Sequence, residues 1–164
     1  MLELMDSGYT DLYGTGVIQA DVLDIDASNP KATIVDDLTK GEVLPADAFD
    51  CFILTQTLHI VFDVRAALRT AHRVLRPGGV LLATVPAVSR IWRPGNDFWR
   101  FTDASIAPLV EEAFGEGVEV QTYGNVLTAI AFLTGMAHEE LTRRELETLD
   151  PRFPVTVGVR AVKR

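Results

Sequence analysis

A segment near the middle of the chain gives the strongest constraint on the fold. Apolar residues recur every three or four positions over residues 64–75, which predicts a helix with one buried face. Asp63 can cap the start of this helix. Pro77 should end it, because proline cannot continue a helix and the Gly-Gly pair behind it allows a left-handed exit. The apolar run over residues 80–85 then predicts a buried strand, so the segment is typical of a sheet covered by helices.

The same alternation of strands and helices extends along the whole chain. Between the first two predicted strands only one helical turn fits, near residues 10–13, although a parallel crossover usually needs about a dozen residues or more. With 164 residues and neither repeats nor a long linker, we expect one α/β domain over residues 1–164. The other predicted strands lie at residues 2–4, 17–26, 32–35, 51–54, 118–123 and 155–162, and the other helices run from Thr102 or Ser105 to residue 114, after Asn125 and from Thr142.

Composition argues against several classes of partner. A net charge of −8 disfavours nucleic acid, because binding to the phosphate backbone rests largely on clustered lysine and arginine. No apolar run approaches the length of a membrane span, so no membrane partner is expected. The single cysteine, Cys51, lies in an apolar run and is typical of a buried thiol in a reducing compartment. We therefore expect a cytoplasmic protein, and one cysteine with three scattered histidines predicts no metal site.

Two stretches of sequence resemble a known family. Residues 50–59, Asp-Cys-Phe-Ile-Leu-Thr-Gln-Thr-Leu-His, with the helix and Pro-Gly-Gly turn that follow, look like the middle of a class I S-adenosylmethionine-dependent methyltransferase of type 11. Residues 97–102, Asp-Phe-Trp-Arg-Phe-Thr, resemble a stretch of methyltransferase-like proteins from glycan and natural-product clusters. The resemblance implies S-adenosylmethionine as cofactor and methyl transfer to a small-molecule, glycan or natural-product acceptor.

The resemblance also implies a particular sheet. It is the Rossmann-like methyltransferase fold, a mostly parallel seven-stranded sheet in the order 3-2-1-4-5-7-6 with an antiparallel last strand. The chain begins inside the first strand, so this version is expected to be N-terminally reduced, without the helix that usually precedes that strand. The missing cover would favour a homodimer.

Several cofactor-binding residues follow from the family pattern. Ligands of open α/β sheets lie at the carboxyl ends of the strands. Asp26 matches the acidic residue that accepts hydrogen bonds from both ribose hydroxyls, a task that suits a carboxylate. Asp24 is a near-equal alternative, because a shift of two residues keeps the same face of a strand. Asp37 and Leu38 match the positions that receive the adenine amino group and pack against the ring.

Three residues after the fourth strand complete the predicted site. Thr55 and Gln56 match the positions that lie against the methionyl part of the cofactor. His59 lies just beyond, where it could act as a general base with a pKa near neutrality. The alternative, a histidine that packs at the entry of the next helix, stays open.

The loop after the first strand departs from the family. Glu3 matches the acidic residue that opens the acidic-x-Gly-x-Gly-x-Gly loop, and it is therefore counted among the predicted cofactor-binding residues. Met5, Ser7 and Tyr9 occupy the three glycine positions, whereas Gly8 is out of register. Either missing residues complete the site, or the chain has a reduced loop that binds the cofactor weakly or not at all.

Two main hypotheses about function remain. In an enzyme, the loop over residues 87–101 with Trp92, Phe98 and Trp99 would form one wall of an acceptor pocket, and Arg93 or Arg100 could bind an anionic group. A non-catalytic partner or scaffold module would instead have its cofactor pocket filled by side chains such as those of residues 5 and 9, and would expose an apolar face. A nicotinamide-binding domain is a weaker third hypothesis, because it also needs a glycine-rich loop.

Overall fold

The computed structural model describes residues 1–91 and 95–164. The strands are β1 (Leu2–Leu4), β2 (Asp21–Asp24), β3 (Ile34–Val35), β4 (Phe49–Thr55), β5 (Leu75–Pro86), β6 (Glu119–Tyr123) and β7 (Thr156–Val162). The helices are α1 (Gly8–Tyr13), α2 (Val64–Val74), α3 (Asp103–Phe114), α4 (Val126–Thr134) and α5 (Arg143–Glu147), with 3-10 helices at Leu58–Ile60 and His138–Glu140.

The seven strands form one sheet, and its order confirms the predicted fold. The order is β3-β2-β1-β4-β5-β7-β6. Neighbouring strands from β3 to β5 are parallel, whereas β7 runs antiparallel to both β5 and β6. Because the chain winds outward in both directions from the centre, the order reverses between β1 and β4. This switch point is where ligands of such sheets bind.

One face of the sheet is covered by α2 and α3. Asp63 caps α2 as predicted, with its Oδ1 accepting a hydrogen bond from the amide of Ala66 at 2.9 Å. Leu68 and other apolar side chains of α2 share a buried core with alternate residues of the central strands, among them Phe52 of β4 and Leu81 of β5. The periodic pattern of residues 64–75 therefore predicted this layer correctly.

The opposite face of the sheet is largely open. Successive residues of a strand point to opposite faces. Leu81 is fully buried under the helices, whereas its neighbour Leu82 is 40% exposed. Tyr9 and Tyr13 of α1 approach this face and line a cavity of about 290 Å³ with Cys51 and Leu82, among others. A parallel sheet normally has both faces covered, so this face has a cover that is smaller than the fold usually provides.

The start of β2 differs from the prediction. Residues 17–20 were expected to belong to a strand over residues 17–26, but β2 is confined to Asp21–Asp24. Its neighbour β1 has three residues, which pair with residues 21–23, so the preceding residues have no strand beside them. Ile18 is fully exposed as a result.

The Pro-Gly-Gly segment also differs in detail. The helix ends at Val74, and Leu75 already pairs with Phe49 of β4. Pairing then resumes at Val80 with Cys51, so residues 76–79 bulge out of β5. Gly79 is required in this bulge, because a Cβ atom there would lie 2.8 Å from the carbonyl oxygen of Arg76.

Two helices begin earlier or run longer than expected. The segment after β1 forms the six-residue α1 rather than a single turn. Helix α3 begins after Thr102, the first of the two predicted starts, because Thr102 and Ser105 cap each other reciprocally. Pro108 therefore lies inside α3, where it is exposed on the outer side and water can reach the carbonyl group that it leaves unpaired.

In the described parts of the chain, no helix has the length and apolar character needed to span a membrane.

Candidate cofactor and acceptor site

The two loops at the switch point begin with an unusual backbone conformation. Met5, directly after β1, has φ 67°, and Gln56, directly after β4, has φ 46°. Residues other than glycine rarely adopt this left-handed region, which costs on the order of 1–3 kcal/mol. Met5 occupies the first glycine position of the family loop. Its backbone therefore has the conformation that suits a glycine, although methionine has a Cβ atom and a long side chain. That side chain is 64% exposed.

Glu3 organises the loop after β1 from within. Its side chain is buried, and its two carboxylate oxygens accept hydrogen bonds from the amides of Tyr9 and Thr10 at 2.9 and 3.0 Å and from the Thr10 hydroxyl at 2.8 Å. Asp6 accepts from the amide of Gly8 in the same way. The loop therefore directs these amides at its own acidic side chains instead of at a ligand.

Asp24 and Asp26 both lie at the carboxyl end of β2, but their surroundings differ. Asp24 accepts from the amide of Asp26 at 2.9 Å and from Asn29 Nδ2 at 2.6 Å, so both of its oxygens hold the turn together. Asp26 is exposed and uses Oδ1 to accept from the amide and hydroxyl of Ser28. These bonds from Ser28 lower the pKa of Asp26. Among the described residues none donates to its Oδ2, which leaves Asp26 the better placed of the two for a diol.

The predicted adenine-binding residues follow β3. Asp37 accepts from the amide and hydroxyl of Thr39 through Oδ1. Leu38 is 7% exposed and packs within the core. The neighbouring Asp36, which was not among the predicted residues, accepts from the amides of Val43 and Leu44 at 2.7 and 3.0 Å. Burial raises the pKa of Asp36, but these backbone bonds outweigh it and the pKa is lowered overall.

Thr55 and Gln56 connect the end of β4 to β5. Thr55 pairs with Thr84 in the sheet, and the amide of Gln56 donates to the carbonyl oxygen of Thr84 at 2.8 Å. The Gln56 side chain reaches the Thr84 hydroxyl at 3.3 Å. These contacts hold the left-handed turn at the switch point, and both residues lie where the sequence predicted them.

His59 lies in the 3-10 helix after β4 and is half-buried. Its Nδ1 is buried and has no hydrogen-bond partner among the described residues. Burial lowers the pKa of His59, with Asp97 opposing this shift and Arg100 adding to it. The imidazole is therefore neutral at pH 7, which leaves it able to accept a proton but makes it a weaker base than a free histidine.

The Asp-Phe-Trp-Arg-Phe-Thr segment is fixed to the region after β4. The amides of Phe98 and Trp99 both donate to the carbonyl oxygen of His59, at 2.8 and 3.1 Å, and Trp99 Nε1 donates to the carbonyl oxygen of Val61 at 3.0 Å. Phe62, Phe98 and Trp99 form a cluster of exposed rings, which we call the aromatic shelf; the Phe62 ring centroid lies 5.3 Å from that of Phe98 and 6.0 Å from that of Trp99.

Arg100 has a structural role instead of the ligand-binding role predicted for it. Its guanidinium group forms a two-pronged ion pair with Asp97, whose side chain is 1% exposed. It also donates to the carbonyl oxygens of Ser89, Arg90 and Trp99. A guanidinium with these five contacts is not available for an anionic substrate group, so this prediction was wrong. Trp92 and Arg93, the other predicted contributors, lie outside the described residues.

The structure thus brings most of the predicted residues to one edge of the sheet. Glu3, Asp24, Asp37, Thr55, Gln56 and His59 lie in or just after β1, β2, β3 and β4, as the sequence predicted. Asn29, Asp36 and the ion pair of Asp97 were not predicted from the sequence. Asn29 lies in the turn-forming stretch Ser-Asn-Pro, and turn asparagines commonly use their side chains in hydrogen bonds to nearby backbone. In the described part of the chain, no three metal-binding side chains cluster.

Comparisons with known proteins agree with this architecture. The family model of the methyltransferase domain matches residues 8–83. An S-adenosylmethionine-dependent methyltransferase from Archaeoglobus fulgidus has 11% identity and a TM-score of 0.65 over 99% of this chain and 85% of its own. One from Mesorhizobium loti has 20% identity and a TM-score of 0.63 over 99% of this chain and 90% of its own. No curated protein sequence matched the chain.

A further similar structure contains a partner protein. It is the complex between the Haloferax volcanii Trm112 methyltransferase activator and a methyltransferase, with 19% identity and a TM-score of 0.66 over 98% of this chain and 80% of that chain.

The fold and the carboxylate-lined edge define a Rossmann-like methyltransferase domain. The family match over residues 8–83 agrees with this fold, so the chain is similar to class I methyltransferases, whose cofactor is S-adenosylmethionine.

The residues at the switch point fit this cofactor in part. Asp26 offers an exposed carboxylate for a diol, and Met5 keeps the backbone conformation of the family's first glycine. Met5 and Tyr9, which were expected to fill the pocket of a non-catalytic module, are 64% and 47% exposed. Their side chains therefore lie at the surface beside the loop and do not fill a buried pocket.

Proposed function

We propose that the chain catalyses S-adenosylmethionine-dependent methyl transfer to a small-molecule acceptor. One observation carries this proposal: Met5 and Gln56 both hold left-handed backbones on the two sides of the switch point. Strain of this kind persists only where the surrounding structure enforces it, and it tends to cluster at functional sites. Two such residues at the ends of adjacent parallel strands indicate that the ligand site is retained, and argue against a chain that has kept the fold but lost the site.

Each residue at this edge has a task in the proposed site. Asp26 would accept hydrogen bonds from the ribose hydroxyls, and Asp37 would receive the adenine amino group while the neighbouring Leu38 supplies part of the core beneath it. Thr55 and Gln56 would lie against the methionyl part, and Glu3 would hold the loop after β1 in place. The cofactor, when bound, supplies an activated methyl group on a sulfonium.

The acceptor would approach over the loops after β4 and β5. The aromatic shelf is held rigidly by the hydrogen bonds of the Phe98 and Trp99 amides to His59, so it can orient an acceptor at little entropic cost. His59 remains a prediction as general base; its neutral imidazole would take a proton from the acceptor hydroxyl or amine. Alignment of acceptor and methyl group would supply most of the catalysis.

Calorimetric titration with S-adenosylmethionine and S-adenosylhomocysteine tests the proposal. The Asp26→Ala variant should bind at least about ten-fold more weakly, because one hydrogen bond to a charged group is worth roughly 1.5–3 kcal/mol. Asp50→Ala is the matched control, since Asp50 is an exposed carboxylate at the amino end of β4, paired with Arg76. If neither cofactor form binds to the wild-type chain at millimolar concentration, the proposal that this chain is an enzyme is contradicted.

A non-catalytic module is the second candidate, and the open sheet face around Leu82 is the observation in its favour. Such a module would fold stably, fail to bind either cofactor form, and bind a partner protein through that face. The same titration separates the two candidates, provided that circular dichroism confirms a folded chain.

A further inference from the structure

Helix α4 is apolar on all sides and yet lies at the surface. Its nine residues contain no charged side chain. Both of its threonine hydroxyls are bonded back to the backbone, Thr128 to Asn125 and Thr134 to Ile130, so the helix presents little polarity to solvent. A helix that is hydrophobic all round is normally buried. The exposed side chains are Val126, Leu127, Ile130, Phe132 and Leu133, with exposed fractions from 37% to 62%.

A cavity of about 300 Å³ lies between α4 and the carboxyl end of β5. Ala87 and Val88 form its floor just after β5, Ala129 of α4 forms one wall, and Phe101 and Phe153 form others. This volume is at the lower end of the range of roughly 300–1,000 Å³ that is typical of ligand pockets. The cavity therefore has room for one flexible chain or one small ring.

Two backbone amides and both arginine side chains that line this cavity are already engaged. The amides of Ala87 and Val88 donate to the carbonyl oxygen of Val155. Arg100 is held by Asp97, and Arg152 forms a two-pronged pair with Asp150. An occupant with many hydrogen-bonding groups would find few partners here, whereas a hydrocarbon chain would lose nothing on entering.

The cavity adjoins the proposed acceptor site through one segment. Arg100, Phe101 and Thr102 line the cavity, while Phe98 and Trp99 of the same segment are bonded to His59. An acceptor on the aromatic shelf could therefore extend a tail past this segment toward α4.

We propose that this cavity and the adjoining side of α4 bind the apolar tail of an amphiphilic methyl acceptor, a hydrocarbon or isoprenoid chain whose polar head carries the methylated group. The inference rests on the proposed function for the identity of the head, but the tail site is tested independently of methyl transfer. The net charge of −8 disfavours the alternative of docking on an anionic lipid surface, because that surface attracts basic segments.

Alkyl glucosides below their micelle concentration provide the probe. Octyl glucoside should bind saturably and shift the methyl NMR signals of Ala129 and Val88, whereas methyl glucoside, which lacks the tail, should not. Each methylene removed from water contributes about a four-fold gain in affinity, so octyl glucoside, which is longer by two methylenes, should bind about fifteen-fold more tightly than hexyl glucoside.

Blocking variants locate the site. Ala129→Phe and, separately, Val88→Phe each place a ring in the cavity and should weaken octyl glucoside binding at least about ten-fold. Ala104→Phe, on the exposed surface of α3, is the matched control and should bind like the wild type. A parallel titration with S-adenosylhomocysteine separates the two proposals. If the wild-type chain binds octyl glucoside selectively but not S-adenosylhomocysteine, the proposed enzymatic function is contradicted. If it binds S-adenosylhomocysteine but does not prefer octyl to methyl glucoside, the tail site is contradicted.

Two results would overturn the tail site. Octyl glucoside binding that is unaffected by either blocking variant would show that the probe binds elsewhere. A wild-type dimer in light scattering that Ile130→Lys converts to a monomer would show that a second copy covers α4.

Discussion

Asn29 donates a hydrogen bond from its side-chain amide to the carbonyl oxygen of Met5 across 2.8 Å. The same nitrogen donates to Asp24 Oδ2 at 2.6 Å, so one amide connects the loop after β1 to the end of β2. An NH₂ group has two hydrogens and can make both bonds. The left-handed turn at Met5 is thus held by a side chain from the next strand–loop segment, where the family uses glycine.

Replacing Met5 with glycine should stabilise the chain. The left-handed conformation costs roughly 1–3 kcal/mol for a residue with a Cβ, whereas the extra freedom of glycine in the unfolded chain costs about 0.5–1 kcal/mol. We expect Met5→Gly to raise the free energy of unfolding by about 1 kcal/mol, measured by urea denaturation.

Val43→Gly is the control for this substitution. Val43 is exposed and does not have a positive φ, so glycine there gains no relief of strain and should lower stability. Equal effects of the two substitutions would show that the turn at Met5 stores no strain.

Removing the Arg100 guanidinium should destabilise the loop after β5. Breaking a buried ion pair by removing one partner typically costs about 3–5 kcal/mol, and the Asp97 side chain is 1% exposed. We expect Arg100→Ala to lower the free energy of unfolding by about 3 kcal/mol. In contrast, Arg65→Ala breaks an exposed pair with Glu112 and should cost less than about 1 kcal/mol. Similar losses in the two variants would contradict a structural role for Arg100.

The central helix–strand unit could be predicted from the sequence because its signals are local. The repeat over residues 64–75 and the cap at Asp63 each depend on neighbours within one or two turns. The order of the strands came from the family resemblance instead, since hydrophobic periodicity contains no information on which strands pair. The bounds of β2 were wrong for the same reason: they depend on the length of β1, which lies elsewhere in the chain.

The places of the candidate residues along the strands could be predicted, but their contacts could not. Asp26 and Gln56 lie where the family pattern places them, yet the left-handed turn at Met5 depends on Asn29, 24 residues away. The role of Arg100 was missed because a loop arginine can point toward solvent or back into its own loop with the same sequence. Only the packing of the loop against β5 decides between the two.

Asp36 should make stability depend on acid. Burial raises its pKa, but the amides of Val43 and Leu44, with those of Asp37 and Glu42, lower the folded pKa below the ordinary 3.8. The contribution of the carboxylate is therefore complete above about pH 3.8 and is lost as the pH falls through the folded pKa. Asp36→Asn should be less stable than the wild type by about 1–2 kcal/mol at pH 7, and the gap should narrow as the pH falls below the ordinary pKa of 3.8 in urea denaturation. A gap that is constant with pH would contradict this assignment.

His59 should also make stability depend on pH, but at mildly acidic values. Burial lowers its pKa in the folded chain below the ordinary 6.5, so the unfolded chain takes up a proton first as the pH falls. Its contribution to stability is therefore complete above pH 6.5 and declines below it, until the folded chain is also protonated. We expect His59→Gln to flatten the decline in unfolding free energy as the pH falls below 6.5. Burial also lowers the pKa of His72, whose contribution remains in both proteins, so a residual slope is expected. An unchanged slope would mean that His59 is protonated as readily in the folded chain as in the unfolded one, which would contradict a pKa lowered by burial.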